Sequence, residues 1–77
     1  GFKMKISYDQ EADAIYIRLK EGEVDKTKEI DDNTILDYDK KGNVIGVELL
    51  FVKERIPSAS LSKITFENLY NFEEIAA

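Results

Sequence analysis

Residues 37–48 have carboxylates and a glycine at the spacing of an EF-hand calcium loop. Asp37 and Asp39 stand at its first and third positions, Gly42 at the sixth and Glu48 at the twelfth. The flanking residues, however, alternate with the period of strands, and Lys41 places an ammonium at the fifth position. The main prediction is therefore a hairpin turn with a left-handed glycine. The alternative is an acidic metal- or ligand-binding site on Asp37, Asp39 and Glu48.

A second group of carboxylates, Asp9, Glu11 and Asp13, precedes an alternating apolar run. Such a group could supply an acid and base pair or hold Mg²⁺. Catalytic carboxylates need burial or mutual repulsion to change their pKa, and a solvated turn in so small a domain offers neither. Aspartate is also common in turns for backbone reasons alone. We interpret the group as a turn and predict no catalytic residue.

Tyrosines beside basic residues are a third candidate, because aromatic rings on a sheet can stack on nucleic-acid bases. Tyr8, Tyr16 and Tyr38 lie near Lys5 and Arg18. The chain carries 11 Lys and Arg against 16 Asp and Glu, a net charge of −5, which is the wrong sign for a phosphate backbone. These tyrosines are therefore predicted to pack within the sheet, with the arginine paired to a carboxylate, and nucleic acid is not an expected ligand.

The composition removes several classes of function. The 77 residues make one domain, predicted over 1–77, and contain neither cysteine nor histidine. Disulfides, zinc fingers, thiol redox chemistry and histidine-assisted nucleophiles are thereby excluded within this chain. No stretch is long and apolar enough to span a membrane, and no leader opens the chain, so a cytoplasmic protein without a cofactor is expected.

The elements that position these residues follow a period of two from Met4 to about Phe51, which predicts strands. Two strands flank the first acidic turn as a hairpin. A third, from Val24 to Ile30, is charged on both faces and is therefore predicted at a sheet edge. Thr34 to Tyr38 forms the fourth strand. The fifth begins at Val44, and its second face is half apolar, which predicts either a central strand or a strand whose second face is covered.

The predicted turn between the last two strands also fixes their register. Pairing Asp39 with Val44 brings Tyr38 opposite Ile45 and Leu36 opposite Val47, so that apolar residues share a face. The expected fold is α+β and mainly β. It has an antiparallel sheet of about five strands, a meander of hairpins over residues 4–51, and a C-terminal helix or helix-like extension over 58–77.

The C-terminal segment is the most apolar candidate for an interface, because surplus apolar surface on a small chain marks a binding site. Its residues fit a helical stripe, although Ile64 to Phe66 could instead form a sixth short strand. The stripe could equally complete the core of its own chain. We expect a homodimer, with a small basic protein as a further partner because the chain is acidic. The predicted partner-binding residues are Leu61, Ile64, Phe66, Leu69, Tyr70 and Phe72.

Two stretches of this sequence resemble the DUF2283 family, small prokaryotic proteins of unknown function. They are the run from Met4 to Asp9 continued by Glu11 to Leu19, and the later Asp37-Tyr38-Asp39 with Gly42 to Glu48. The resemblance covers roughly residues 4 to 50 and implies a compact antiparallel β unit, without an agreed activity or catalytic residue. Lys28 departs from the pattern, because an apolar residue is expected at that place in the third strand.

The resemblance also implies a class of role, because some similar proteins are thought to be encoded beside small toxin-like partners. Together with the acidic charge and the apolar C-terminal segment, this leads us to expect a non-enzymatic protein-interaction module. It would act as an antitoxin-like protein or as an accessory subunit of a two-protein system. The alternative function remains the acidic metal- or ligand-binding domain.

Overall fold

The computed structural model describes residues 3–67 and shows a five-stranded sheet followed by two short helices. Each strand corresponds to an alternating segment of the sequence, and turns rich in Asp, Asn and Gly separate them. The fourth strand has the predicted bounds. The elements are β1 (Lys5–Asp9), β2 (Ala14–Arg18), β3 (Lys26–Asp31), β4 (Thr34–Tyr38), β5 (Val44–Leu49), α1 (Val52–Arg55) and α2 (Ser58–Leu61).

The strands are antiparallel and lie in the order β1-β2-β5-β4-β3. The predicted five-stranded antiparallel sheet is confirmed, with β3 at an edge and β5 in the centre. The order departs from a simple meander at one place, because β5 rather than β3 pairs with β2. The composition of the two strands explains why β2 pairs with β5 and not with β3. A strand that is charged on both faces gains nothing from burial, whereas an apolar strand is stabilised by a neighbour on each side.

The register of the β4–β5 hairpin follows the prediction in its body and departs from it at the turn. Leu36 pairs with Val47, as the hydrophobic pattern requires. Tyr38 pairs with Val44 instead of Ile45, because a bulge at this end inserts one extra residue into β5. The β1–β2 hairpin has no irregularity over its five pairs.

Directly opposed residues of antiparallel strands share a face, so the pairings define two faces of the sheet. The polar face carries Ser7, Tyr16, Arg18, Thr27, Asp37, Gly46 and Glu48, with Ile35 among them. The opposite face is called the apolar face here. Its members are Ile6, Tyr8, Ile15, Ile17, Thr34, Leu36, Tyr38, Ile45, Val47 and Leu49, with Lys26 and Lys28 beside them at the β3 edge.

The hydrophobic core of the described part of the chain is small. Its buried apolar residues are Ala14, Ile15, Ile45 and Val52, while Ile17 and Val47 on the central strands are only half-buried. Phe51, which follows β5, is 49% exposed in a left-handed conformation (φ 54°) and does not point inward with β5 as its alternation predicts. The left-handed residue turns the chain out of the sheet, so the alternation stops there.

Two connections cover the ends of the apolar face. The β2–β3 connection runs across the end of the sheet, and a β-carbon at Gly22 would lie 3.8 Å from Cδ1 of Ile45. At the opposite end, the backbone N–H of Val52 donates to the carbonyl of Asp13 at 3.1 Å and docks α1 beside the first hairpin. Between these ends, Ile17 and Val47 in the middle of the face remain half-buried.

The helical part of the predicted 58–77 extension is short within the described residues. The helix α2 ends at Leu61, and residues 63–67 form neither helix nor strand, so the predicted stripe does not continue along a helix through Ile64. A β-branched pair followed by an aromatic residue, Ile64-Thr65-Phe66, lowers helix propensity here, and a four-residue helix is too short to propagate by itself. Over residues 3–67 no helix has the length and apolar character needed to cross a membrane.

Candidate functional site

The first acidic turn is built by Asp9. Its carboxylate oxygen Oδ1 accepts the backbone N–H of Glu11 at 2.9 Å and that of Ala12 at 3.2 Å. An aspartate that closes a turn in this way satisfies amides that the strands leave unpaired. This geometry supports the interpretation of the first carboxylate group as a turn.

Asp13 joins three elements at the end of the same turn. Its backbone is left-handed (φ 53°), which directs its carboxylate toward the sheet and toward α1. Oδ1 accepts the hydroxyl of Tyr8 at 2.7 Å, and Oδ1 and Oδ2 lie 3.1 and 3.2 Å from the backbone nitrogen of Lys53. A single carboxylate therefore bonds β1, the turn and the first residues of α1 together.

The Tyr8 hydroxyl is the donor in its bond to Asp13, because an ionised carboxylate can only accept. The hydrogen bond to Asp13 raises the pKa of the Tyr8 phenol, and desolvation and the carboxylates of Asp13 and Asp9 raise it further. The phenol therefore stays protonated through the neutral range. Its role here is to hold the carboxylate in place.

A second network crosses the polar face from β2 to β3. The Tyr16 hydroxyl donates to Oδ2 of Asp37 at 2.7 Å, and Oγ1 of Thr27 donates to Oδ1 of the same carboxylate at 2.7 Å. The tyrosine reaches Asp37 by passing over Gly46. A β-carbon at Gly46 would lie 2.7 Å from Cζ of Tyr16 and 3.3 Å from Oδ2 of Asp37, so the glycine is required by a close approach.

Arg18 lies on the same face and, contrary to the prediction, pairs with no carboxylate among residues 3–67. Its Nε donates to the carbonyl of Lys20 at 3.0 Å, and its terminal nitrogen donates to the carbonyl of Gly22. The guanidinium thus fastens the β2–β3 connection. Burial and the hydrogen bond to Asp37 raise the pKa of Tyr16, and Arg18 opposes that shift.

Two carboxylates of the EF-hand-like spacing, Asp37 and Asp39, have separate structural roles, and Glu48 lies opposite Tyr16 on the polar face. Oδ1 of Asp39 accepts the backbone N–H groups of Lys41 and Asn43, each at 2.9 Å, while Gly42 is left-handed (φ 83°) as predicted. These bonds, with that of Asn43 first, lower the pKa of Asp39. Asp37 belongs to the tyrosine network. Across residues 3–67 no three acidic side chains are grouped to hold a metal ion, so the metal-binding alternative gains no geometric support.

The predicted partner-binding residues are only partly within the described chain. Ile64 is 65% exposed and Phe66 is 72% exposed, whereas Leu61 is half-buried. Leu69, Tyr70 and Phe72 lie outside the described residues. Leu61 lines a cleft of about 280 Å³ between α2 and the first hairpin, whose other lining residues are Tyr8, Gln10, Lys53, Ser58 and Ser62.

Sequence reasoning missed both hydrogen-bond networks, although each leaves a trace in the sequence. A tyrosine and an aspartate five residues apart on either side of a turn can meet once the hairpin closes, as Tyr8 and Asp13 do. A glycine inside an apolar strand indicates a close approach by a neighbour, which here is the Tyr16 ring over Gly46. The partner of that ring, 21 residues further along the chain, follows only from the strand order.

One relative, an uncharacterized protein of Methanocaldococcus jannaschii, is 38% identical over 48 residues, which is 62% of this chain and 40% of that protein. The chain therefore spans less than half the length of this curated relative. No solved structure matches this chain. The model of the protein family of unknown function DUF2283 matches residues 5–53, the whole sheet and the start of α1. The stretch that holds both tyrosine networks is thus the family unit, and the chain belongs to the DUF2283 family.

Proposed function

We propose that this chain is a non-enzymatic protein-interaction module that binds a small basic protein, as an antitoxin or an accessory subunit would. The observation that carries the proposal is the exposure of large apolar side chains just after α2. Ile64 and Phe66 expose 65% and 72% of their surface, two residues apart in one segment. Solvent exposure of two such side chains is unfavourable unless another surface covers them, and clustered apolar exposure marks interaction sites.

The small core supports the same role. A sheet whose central residues Ile17 and Val47 are only half-buried gains stability when further apolar surface covers it. A folded partner that covers both the C-terminal residues and part of the apolar face would be bound through burial. This is the arrangement of a subunit that is completed by association.

Charge supports the choice of a basic partner. The net charge of −5 attracts a positively charged protein and accelerates its association, and it selects against acidic proteins. Most acidic side chains of the turns are exposed, among them Glu11, Glu21 and Asp32, so they can act at a distance without a burial cost. Binding is then expected to weaken as salt concentration rises.

The groups with resolved pKa shifts are ones that hold hydrogen bonds within the fold. Among the described residues, the resolved shifts lower the pKa of Asp31 and Asp39 and raise that of Tyr8 and Tyr16. All four shifts lead away from neutrality, whereas a general acid or base works with a pKa close to the working pH. They are the shifts of groups that maintain hydrogen bonds.

The proposal can be tested by capture of a partner from the lysate of the native organism, followed by reconstitution from purified components. The bait is the tagged chain, and the test variant carries Ile64→Asp and Phe66→Asp. Ile30→Asp is the matched control, because Ile30 is a 53% exposed apolar side chain on β3, at the sheet edge opposite the first hairpin beside which α2 lies. We expect a small basic protein to bind the parent and the control but not the test variant.

Titration calorimetry with the purified partner then gives the affinity at several salt concentrations. A loss of affinity with salt, together with a loss of more than about tenfold in the test variant, supports the proposal. Equal binding by all three baits, or a captured protein that is acidic, contradicts it. Recovery of no specific partner also counts against it.

A further inference from the structure

The two edges of the sheet are protected to different extents. On β3, the lysines Lys26 and Lys28 lie on the same face as the apolar residues of β4, and a bulge between Glu29 and Asp31 interrupts the ladder. Inward-facing lysines and bulges are the features by which natural sheets prevent an exposed edge from pairing with another strand. The β3 edge is therefore closed to strand addition.

The β1 edge lacks this protection. Its five residues pair with β2 without a bulge, and in residues 3–67 it has a hydrogen-bonded neighbour on one side only. Two apolar side chains stand on or next to it, Met4 at 52% and Ile6 at 46% exposure. A regular strand with exposed apolar residues and one unpaired side is a template for another strand.

The sequence of β1, Lys-Ile-Ser-Tyr-Asp, is complementary to itself when it is read in the opposite direction. With Ser7 at the centre, Lys5 faces Asp9 of a second copy, and Ile6 faces Tyr8 of a second copy. Opposite charges and aliphatic–aromatic pairs are favourable when they lie directly across an antiparallel ladder. We propose that two copies of this chain associate through β1, antiparallel and about a two-fold axis at Ser7.

This register has a consequence for the apolar face. It keeps residues of the same face opposite each other, so Ile6 and Tyr8 of both copies lie on one side of a continuous ten-stranded sheet. The apolar faces of the two copies then form one surface. The interface is isologous, because each copy contributes the same five residues.

Only five residues of each copy meet in this interface. Its buried area is therefore small, because a stable complex buries about 1,200–2,000 Å². The dimer is therefore expected to form in a concentration-dependent way. It uses the β1 edge and not the C-terminal residues, so it goes beyond the proposed function. Variants at Ile64 and Phe66 leave it intact.

Charge exchange tests the register. Lys5→Glu alone places two carboxylates opposite each other at both ends of the pairing, and Asp9→Lys alone places two ammonium groups there. Each variant should dimerise about tenfold or more weakly than the parent in sedimentation equilibrium. An equimolar mixture of the two variants restores opposite charges at both ends and should recover association as heterodimers.

The mixture also separates the proposal from a folding defect. Asp9→Lys removes two hydrogen bonds of the first turn, so circular dichroism checks that the sheet remains folded. A variant that has lost its fold cannot form heterodimers, so it cannot restore association when the two variants are mixed. Failure to recover, with both variants folded, overturns the register, and a parent that is monomeric at high micromolar concentration overturns the dimer.

A cysteine pair provides an independent measurement. The chain has no cysteine, so Ser7→Cys introduces a single thiol next to the proposed axis, where opposed β-carbons lie about 4.5–5.5 Å apart. We expect oxidation to give a covalent dimer from this variant and not from Lys28→Cys, an exposed position on the β3 edge. Equal crosslinking of both variants, or crosslinking of the control alone, overturns the proposal.

Discussion

Replacement of Gly46 by alanine should destabilise the protein, and the sign of its effect should depend on Tyr16. In an ordinary strand, glycine is about 0.5–1 kcal/mol less favourable than alanine, so the substitution would be stabilising. Here an added β-carbon would lie 2.7 Å from Cζ of Tyr16 and still closer to the hydroxyl. The ring must move away, and its bond to Asp37 is lost with it.

The magnitude follows from these two costs. Accommodation of an extra methyl against an aromatic ring costs about 1–3 kcal/mol. Loss of a hydrogen bond to a charged group costs about 1.5–3 kcal/mol when buried, and less for the half-buried Tyr16. The two costs overlap because one movement of the ring causes both, so the free energy of unfolding should fall by about 2–3 kcal/mol.

A double-mutant cycle with denaturant unfolding measures the coupling. In a Tyr16→Ala background the ring is absent, and Asp37 Oδ2 at 3.3 Å is the remaining close atom, so Gly46→Ala should be neutral or stabilising by up to about 1 kcal/mol. In a Tyr16→Phe background the ring carbons remain, and the substitution should stay destabilising. The reasoning is refuted if Gly46→Ala stabilises the parent, or if it costs the same with and without the ring.

Three further outcomes are expected. Asp13→Gly should lower the free energy of unfolding by about 1–2 kcal/mol, because the bonds to Tyr8 and α1 are lost. Asp13→Ala should lower it by about 1 kcal/mol more, because alanine is also strained in the left-handed conformation. Unfolding curves that rank the two variants in the reverse order contradict this. The lowered pKa values of Asp31 and Asp39 contribute stability that is present above about pH 4 and is lost as pH falls through the folded-state values. The raised pKa of Tyr8 contributes stability that is present below about pH 10 and is lost above it. The melting temperature measured against pH checks both signs, and Asp39→Asn should flatten the acid limb of that curve. Millimolar Ca²⁺ should leave the melting temperature unchanged, since Asp37 and Asp39, two of the three carboxylates at the EF-hand spacing, are bonded within the sheet and turn; saturable stabilisation by calcium would show that this assignment is wrong.

The strands could be predicted from the sequence because local alternation and turn residues specify them. Charged residues on both faces placed β3 at an edge, and the Leu36–Val47 register followed from the hydrophobic pattern. The neighbour of β2 could not be predicted in the same way. Its pairing with β5 depends on which strand gains most from burial, and this is a property of the whole sheet.

The candidate site was less predictable for the same reason. Asp9 and Gly42 act within their own turns, so composition was enough to assign them. Tyr16 and Asp37 meet only because β5 lies between β2 and β4, with a glycine at the crossing point. The end of α2 at Leu61 could not be predicted either, because apolar spacing in the C-terminal segment fits a helical period, although Ile64 and its neighbours disfavour a helix within the described residues.

The insertion of β5 between β2 and β4 also determines how the chain can fold. One hairpin of two strands and one unit of three strands each close through nearby contacts, which form quickly. The pairing of Ile17 with Val47 joins the two units and must wait for both, so this docking step should limit the folding rate. A chain cut within residues 19–25 retains each unit intact. Its two pieces should therefore reassemble through β2 and β5, which makes the protein divisible at a position that the sheet itself defines.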